Sequence, residues 1–562
     1  MTANLPGWPV GLPTVLADAM AVAAAAGGPF SASRSAALDA AEAFPETEFA
    51  LLNAAGLPRA YVPARLGGAP GGLPELLDAL REVARRDMTV AVAHGKTFLG
   101  AVSTWVAGTE EQQRALARLV LDESAVIAWG LTERGIGSDL LAGSLTATSG
   151  PDGEWRLTGE KWPINNATRG QLICVLARTD PAGGPRGFSL FLVDKSALPR
   201  GTWQPLPKEL THGIRGADIS GLRLCDAPVP ADALIGKPGD GLGIVLRALQ
   251  LTRTLCAALS VGAGEHALRL AGEFAAERAL HGTLLIRLPL ARRVLGRAAA
   301  SLALADAAAL LAGRCAHGLP REMSAVSAAV KAGVPWIVQQ TIDDLAELLG
   351  ARGFLTDYHA DGMFQKLERD HRIVAVFDGS TAVNRSLLIS QFPVLARLIR
   401  TGTYDAAGLA ATTGETPLPE LDPTALRLVS RTGCSVVQAV PDAAARITAL
   451  AAAGSVPPRA AELAAMLSEQ TTALAEAMAE LPPSGRNAPA AAFAVARRFE
   501  ACFAGAAALH LLAALGGTER AVTLTAALER CLELLVPSHR PPPAAYECLV
   551  PPIAQSVEEP AR

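Results

Sequence analysis

The sequence predicts a mostly α fold in which a small antiparallel β domain separates two helical domains, with an extra helical domain after them. Three observations carry this. The 562 residues are half hydrophobic, but aromatics make up only 4% and alanine supplies much of the apolar content, which favours closely packed helices over a sheet-rich architecture. Short β-rich runs separated by Gly, Pro and Asp crowd between Ser124 and Gly236, the pattern of a small β domain. The length is several times the ~100–200 residues of one domain, so two to four domains are expected.

Residues 1–125 are expected to form a helical domain. Apolar residues recur at helical spacing from about residue 34, broken at Gly56-Leu57-Pro58 and at Gly67–Gly72, and Glu75–Arg86 sets Leu77, Leu80 and Ala84 against charges as an amphipathic helix does. Residues 126–236 carry the candidate strands Val126–Trp129, Gly143–Ala147, Trp155–Gly159, Leu172–Arg178, Gly187–Asp194 and Leu222–Cys225. Residues 237–398 return to long helices. Residues 399–423, with Gly402, Gly408, Gly414, Pro417, Pro419 and Pro423, are expected to be a linker. Residues 424–562 are expected to be the extra helical domain, broken at Pro457-Pro458 and Pro482-Pro483, with regular structure ending at Pro541-Pro542-Pro543.

Several function classes are disfavoured. The formal charge of −4 gives no footprint for a nucleic-acid partner. No run of ~18 uncharged, strongly apolar residues suggests an integral membrane segment. The amino terminus lacks a basic stretch before a leucine-rich core, so no secretory signal is expected and the cytoplasm is the default. The eight cysteines, at 174, 225, 256, 315, 434, 502, 531 and 548, form no CxxC pair, and the nine histidines form no HExxH or HxxxH pair; no metal site is expected. Gly239, Gly241 and Gly243 follow no apolar strand, which excludes a Rossmann loop there.

The candidate chemistry centres on Val374–Leu388, VAVFDGSTAVNRSLL. Its acid, Asp378, sits between an apolar wall, Phe377, and a tight turn at Gly379. The segment resembles the acyl-CoA dehydrogenase signature, in which a glutamate occupies the position of Asp378. Seven further segments of residues 40–395 resemble that family in order: Gly108–Gln112; Leu131–Asp139 (LTERGIGSD); Lys161–Ala167 (KWPINNA, with Pro163 and Asn165 where tryptophan and threonine are usual); His212–Asp218; Arg278–Gly282; Glu347–Gly353; and Leu367–Ile373.

The resemblance implies an FAD-dependent oxidoreductase. By it, Trp129, Leu131, Thr132, Gly137, Ser138, Asn165 and Ser380 line the flavin, with Asn165 donating to a ring nitrogen. Arg278 reaches the flavin pyrophosphate of a neighbouring subunit, Ala351 lies in the segment approaching the adenine half, and a homodimer follows. Ser138, Arg253, Phe377 and Gly379 face an acyl-CoA or acyl-carrier-protein thioester, and the electron acceptor is one such as an electron-transfer flavoprotein. Asp378 removes the α-proton while FAD takes the β-hydride; such protons are so weakly acidic that the base must be desolvated. One family branch places its base near Arg253, but Gln250, Leu251, Thr252 and Thr254 offer no acid. An aspartate base is also similar to that of the nitroalkane oxidase branch, so an FAD-dependent oxidase or monooxygenase acting on a non-thioester is the alternative, with a non-catalytic flavoprotein scaffold as a third. Residues 424–536 resemble the extra helical domain of the very-long-chain branch and are expected to be structural, favouring a dimer over a tetramer.

Overall fold

The computed structural model describes residues 11–150, 153–482, 487–517 and 520–550. They divide into two compact units, one of residues 11–83 and 87–252, the other of residues 84–86 and 253–550.

The first unit opens with helices α1 (Leu12–Ala23), α2 (Ala32–Ala40), α3 (Glu46–Ala54), α4 (Gly72–Ala84), α5 (Met88–Ala107) and α6 (Glu110–Glu123). Polar residues set the starts of α2 and α5: Ser31 accepts from the Arg34 amide, and Asp87 accepts from the amides of Thr89 and Val90. Thr109 and Gln112 form a reciprocal capping box at α6, and the Gln112 amide also donates to the carbonyls of Asp232 and Leu234 at 2.6 and 2.9 Å. One side chain therefore starts a helix and ties it to the end of the sheet.

The sheet comprises β1 (Ile127–Gly130), β2 (Thr146–Ser149), β3 (Trp155–Asn165), β4 (Leu172–Arg178), β5 (Phe188–Asp194), β6 (Trp203–Leu206), β7 (Ile219–Val229) and β8 (Leu234–Ile235), in the order β6-β7-β3-β2-β4-β5-β8 with β1 beside β4. It is not wholly antiparallel: β1 runs parallel to β4. β1 leaves a helix rather than a hairpin, so nothing forces antiparallel pairing. The expected strand at Gly143–Ala147 begins only at Thr146, because the Glu133 carboxylate takes the amides of Ser144 and Leu145 that a ladder would need. Leu157, Ile164, Val175, Phe191, Val193, Leu222 and Leu224 form the core of this layer. α5 lies directly on β1, where a Cβ at Gly100 would stand 2.6 Å from the Ile127 carbonyl oxygen.

Helix α7 (Gly241–Glu277) contributes its residues to Thr252 to the first unit and the rest to the second. The second unit continues with the hairpin β9 (Ala279–Leu280) and β10 (Thr283–Leu284), then α8 (Pro289–Gly318), α9 (Met323–Leu349), α10 (Ala351–Phe354), α11 (Met363–His371) and α12 (Thr381–Thr401). After these come α13 (Ala406–Thr413), α14 (Ser435–Gln438), α15 (Val440–Ala452), α16 (Pro458–Glu480), α17 (Ala490–Ala514), α18 (Arg520–Leu535) and α19 (Ala544–Glu547). By length and composition α7 and α8 are apolar enough to cross a membrane, which the sequence reading did not anticipate; both are largely buried inside the protein.

The region expected as a linker holds a docked helix instead. Asp405 caps α13, Gly402 and Gly414 are left-handed terminators of α12 and α13, and the buried Arg314 donates to the carbonyls of Ala411 and Thr412. The glycines therefore punctuate helices. The extra helices belong to the same compact unit as residues 253–398. Regular structure also resumes after Pro543, where buried Tyr546 on α19 packs with Ala300 of α8 and Ala526 of α18.

Candidate active site

In the first unit, the chain leaves β1 at Gly130 and enters the Leu131–Asp139 loop. Glu133, 5% exposed, anchors it by accepting from Ser144 N, Ser144 Oγ, Leu145 N and Lys161 Nζ at 2.6–3.1 Å. Burial alone would push this carboxyl up, but the Lys161 ammonium and the Ser144 hydrogen bonds together hold it at about 2. Lys161 also donates to the Leu131 carbonyl at 3.2 Å, and Thr132 joins β3 by donating its hydroxyl to the Pro163 carbonyl and accepting from Trp162 N. Beyond this anchor the loop is open: Gly135 has φ +83°, no atom lies within 4 Å of where a Cβ on Gly137 would stand, and Gly137 and Ser138 are exposed.

Asn165 ends β3 with its Nδ2 donating to the Val92 carbonyl of α5 at 3.1 Å, which leaves its buried Oδ1 without a partner. One of the two amide hydrogens of Asn165 is thus held by the helix, the second is not engaged by any bond described, and its buried oxygen is a spare acceptor. Trp129 is 2% exposed, so its indole lies in the interior.

In the second unit, Asp378 and Gly379 take successive left-handed conformations, φ +56° and +91°. The turn is pinned from several helices. Arg253 Nε of α7 donates to the Asp378 carbonyl at 3.1 Å. Asn384 Nδ2 donates to the carbonyls of Gly379 and Ser380 at 2.8 and 3.0 Å. Lys331 Nζ of α9 donates to the Val374 carbonyl at 2.7 Å and lies 5.8 Å from the Phe377 ring centre. A side chain at 379 would press on Arg253 Nη2 at 3.3 Å, which explains the glycine. The half-buried Asp378 carboxylate has no ion-pair partner within 4 Å among the described residues; its one side-chain neighbour within hydrogen-bond range is Cys256 Sγ, 3.9 Å from Oδ2.

Two buried cations thus surround one carboxylate. Burial lowers Arg253 to about 10 and lowers Lys331, with Asp378 and Cys256 opposing in both cases. Arg253, expected beside the substrate, is 4% exposed and holds the turn through its Nε. Ser380, expected beside the flavin, accepts from Val383 N as the cap of α12. Arg278 is exposed beside the β9–β10 hairpin, with no ion-pair partner among the described residues, and Ala351 is exposed at the start of α10. Lys331, Cys256 and Asn384 were not singled out from sequence, although a lysine alone in Ala328–Val334 was a usable signal.

The first-unit residues suit a flat heteroaromatic ring with N–H donors: glycine backbone open to close approach, and a buried acceptor oxygen at Asn165 with nothing to accept from. The free Arg278 guanidinium suits a pyrophosphate. FAD carries both features.

Comparisons agree with this chemistry. The acyl-CoA dehydrogenase N-terminal, middle and C-terminal domains match residues 30–123, 128–227 and 239–392 in that order. The probable acyl-CoA dehydrogenase FadE25 of Mycobacterium tuberculosis is 28% identical over 363 residues, covering 64% of this chain and 90% of its own. The human mitochondrial short-chain specific acyl-CoA dehydrogenase is 29% identical over 360 residues, covering 62% and 83%. Among solved structures, the acyl-CoA dehydrogenase complexed with FAD from Bacillus anthracis is similar over 98% of this chain and 91% of its own, with a TM-score of 0.67 at 20% identity, so its fold includes the C-terminal extension. With all three domains matched in sequence around an anchored glycine loop and a pinned acid turn, the chain belongs to the acyl-CoA dehydrogenase family of FAD-dependent oxidoreductases.

Proposed function

We propose that the protein dehydrogenates an acyl thioester across its α,β-bond, with Asp378 as the base that removes the α-proton. One observation carries this reading: the Asp378 backbone is held by Arg253 and flanked by the anchors Asn384 and Lys331, while its carboxylate has no ion-pair partner within 4 Å among the described residues. A structural acid would be spent on a partner; this one is positioned and left available to accept a proton.

Leu131, Thr132, Gly137, Ser138 and Asn165 would hold the flavin ring, and Arg278 of a second subunit its pyrophosphate, which makes the working form a homodimer. FAD, when bound, supplies the two-electron acceptor for the β-carbon. Phe377 provides an apolar wall beside the base, and Gly379 keeps the turn narrow. Ser138 faces the pantetheine arm that CoA and an acyl-carrier protein share, and an electron-transfer flavoprotein is the acceptor.

The test is the visible flavin spectrum recorded anaerobically before and after adding short, medium and branched acyl-CoAs and acyl-carrier-protein thioesters, for the parent and Asp378→Asn. Asparagine tolerates the left-handed turn but cannot take the proton. Bleaching in the parent, at least about 100-fold slower in the variant, is expected. Tightly bound flavin that no thioester bleaches but a nitroalkane does would overturn the thioester reading. Equal bleaching in both proteins would remove Asp378 from the chemistry.

A further inference from the structure

We infer that the C-terminal extension takes part in the reaction in cis, with Glu500 of α17 as a positioning residue that fixes the Asp378 turn through two helices at once. This rests on the reading of Asp378 as the base.

Glu500 lies beyond residue 392, where the match to the family's domains ends. It is 4% exposed in a helix otherwise lined there by Phe499, Ala501, Cys502 and Phe503. Its two oxygens accept from Arg385 Nε and Nη2 at 2.7 and 2.8 Å, a two-pronged pair whose side chains are 2% and 14% exposed. Arg385 follows Asn384, whose amide holds the carbonyls of Gly379 and Ser380. The first path therefore runs from Glu500 through α12 to the two residues after Asp378.

The second path runs through α9. A Cβ at Gly333 would stand 3.0 Å from Glu500 Cβ, so α17 sits closely against α9 at that point. Two residues earlier on α9, Lys331 holds the Val374 carbonyl on the approach to Asp378. A helix meant only to cover apolar surface needs no acid at this place, and burial works against keeping one there, pushing the Glu500 carboxyl up with Arg385 opposing. The pair is a fixed joint between the extension and the elements that aim the base. A base misplaced by about 1 Å can lose ~100-fold in rate.

The experiment compares the parent holoenzyme with Glu500→Gln, Glu500→Asp and the double variant Arg385→Met/Glu500→Met. The double variant removes the joint without leaving a buried charge unpaired, so it keeps the fold. Hydrogen exchange is followed in peptides from 372–384, with strand peptides from 172–178 as internal reference, and kcat and KM are measured with the best thioester. Expected are exchange in 372–384 faster by about tenfold in the Gln and double variants, unchanged exchange in 172–178, kcat lower by about tenfold at similar KM, and partial recovery in Glu500→Asp. Parent-like exchange and kcat in the double variant would overturn the inference. Asp378→Asn is run alongside: if it keeps full turnover the base assignment fails on its own, and the exchange data still decide whether Glu500 holds the turn.

Discussion

Glu133 and Lys161 form an ion pair, 5% and 1% exposed at the side chain, that anchors the Leu131–Asp139 loop, for which we propose the flavin contact. Such a pair resists the loss of either member far more than its net contribution suggests, because the survivor is left buried and uncompensated; removing one partner costs about 3–5 kcal/mol. Glu133→Gln is therefore expected to lower the urea midpoint of the first unit and to release flavin. The sign with pH is fixed. A carboxyl depressed from 4.5 to about 2 contributes stability that is complete above about 4.5 and is lost as pH falls towards 2. The gap between parent and Glu133→Gln should be widest near neutral pH and narrow on acidification; a constant gap down to pH 3 would refute the ionised pair. At this scale the sequence announces Asp378 and the Leu131–Asp139 loop because each is contiguous. It conceals Lys331 and Cys256, which reach the acid turn from positions 43 and 122 residues away in the chain. The bond from Asn165 to the Val92 carbonyl was hidden in the same way, because that carbonyl lies on another element.

Helix starts are where elements are joined in this protein, and α14 offers a pH-sensitive case. Glu322, 1% exposed, accepts from both the amide and the hydroxyl of Ser435 at 2.7 Å each. Burial raises its carboxyl from 4.5 to about 7, with the Ser435 hydrogen bonds opposing. Between those values the folded protein binds a proton that the unfolded chain has released, so stability falls as pH rises from about 4.5 to about 7. Glu322→Gln should remove that slope: denaturant midpoints at pH 5 and pH 8 should lie closer together in the variant than in the parent. A parent whose midpoint does not fall over that range would refute the assignment. Element identity was legible where periodicity ran long, as in α7 to α9 and β4. β6 and β8 escaped notice for physical reasons: β6 has four residues, one of them Pro205, and β8 has two, too short for alternation to register.

For the whole molecule, layer order was readable from composition and spacing, but the union of the extension with the preceding bundle was not, because its bonds are all distant in sequence. Arg530 Nε reaches Ser301 Oγ at 2.9 Å across 229 residues, Arg297 Nε reaches Glu533 at 3.1 Å, and Arg385 reaches Glu500. The Gly- and Pro-rich stretch before the extension was expected to be a linker and holds the capped helix α13. The union has a consequence for truncation. A chain ending at residue 414 keeps every segment matched by the family, yet it uncovers the faces of α8, α9 and α12 that α16, α17 and α18 cover. Contiguous apolar surface beyond a few hundred Å² drives association; Arg385 and Ser301 would lose the partners Glu500 and Arg530, and Arg297 would lose Glu533 while keeping Asp344. The full chain is expected to be a monodisperse dimer by light scattering, and the truncated chain to aggregate or to assemble into larger species through those faces. A discrete tetramer would show that another subunit can substitute for the extension. A truncated chain that stays dimeric, binds FAD and melts with the parent would show that the extension stands apart from the bundle, contrary to the joints described.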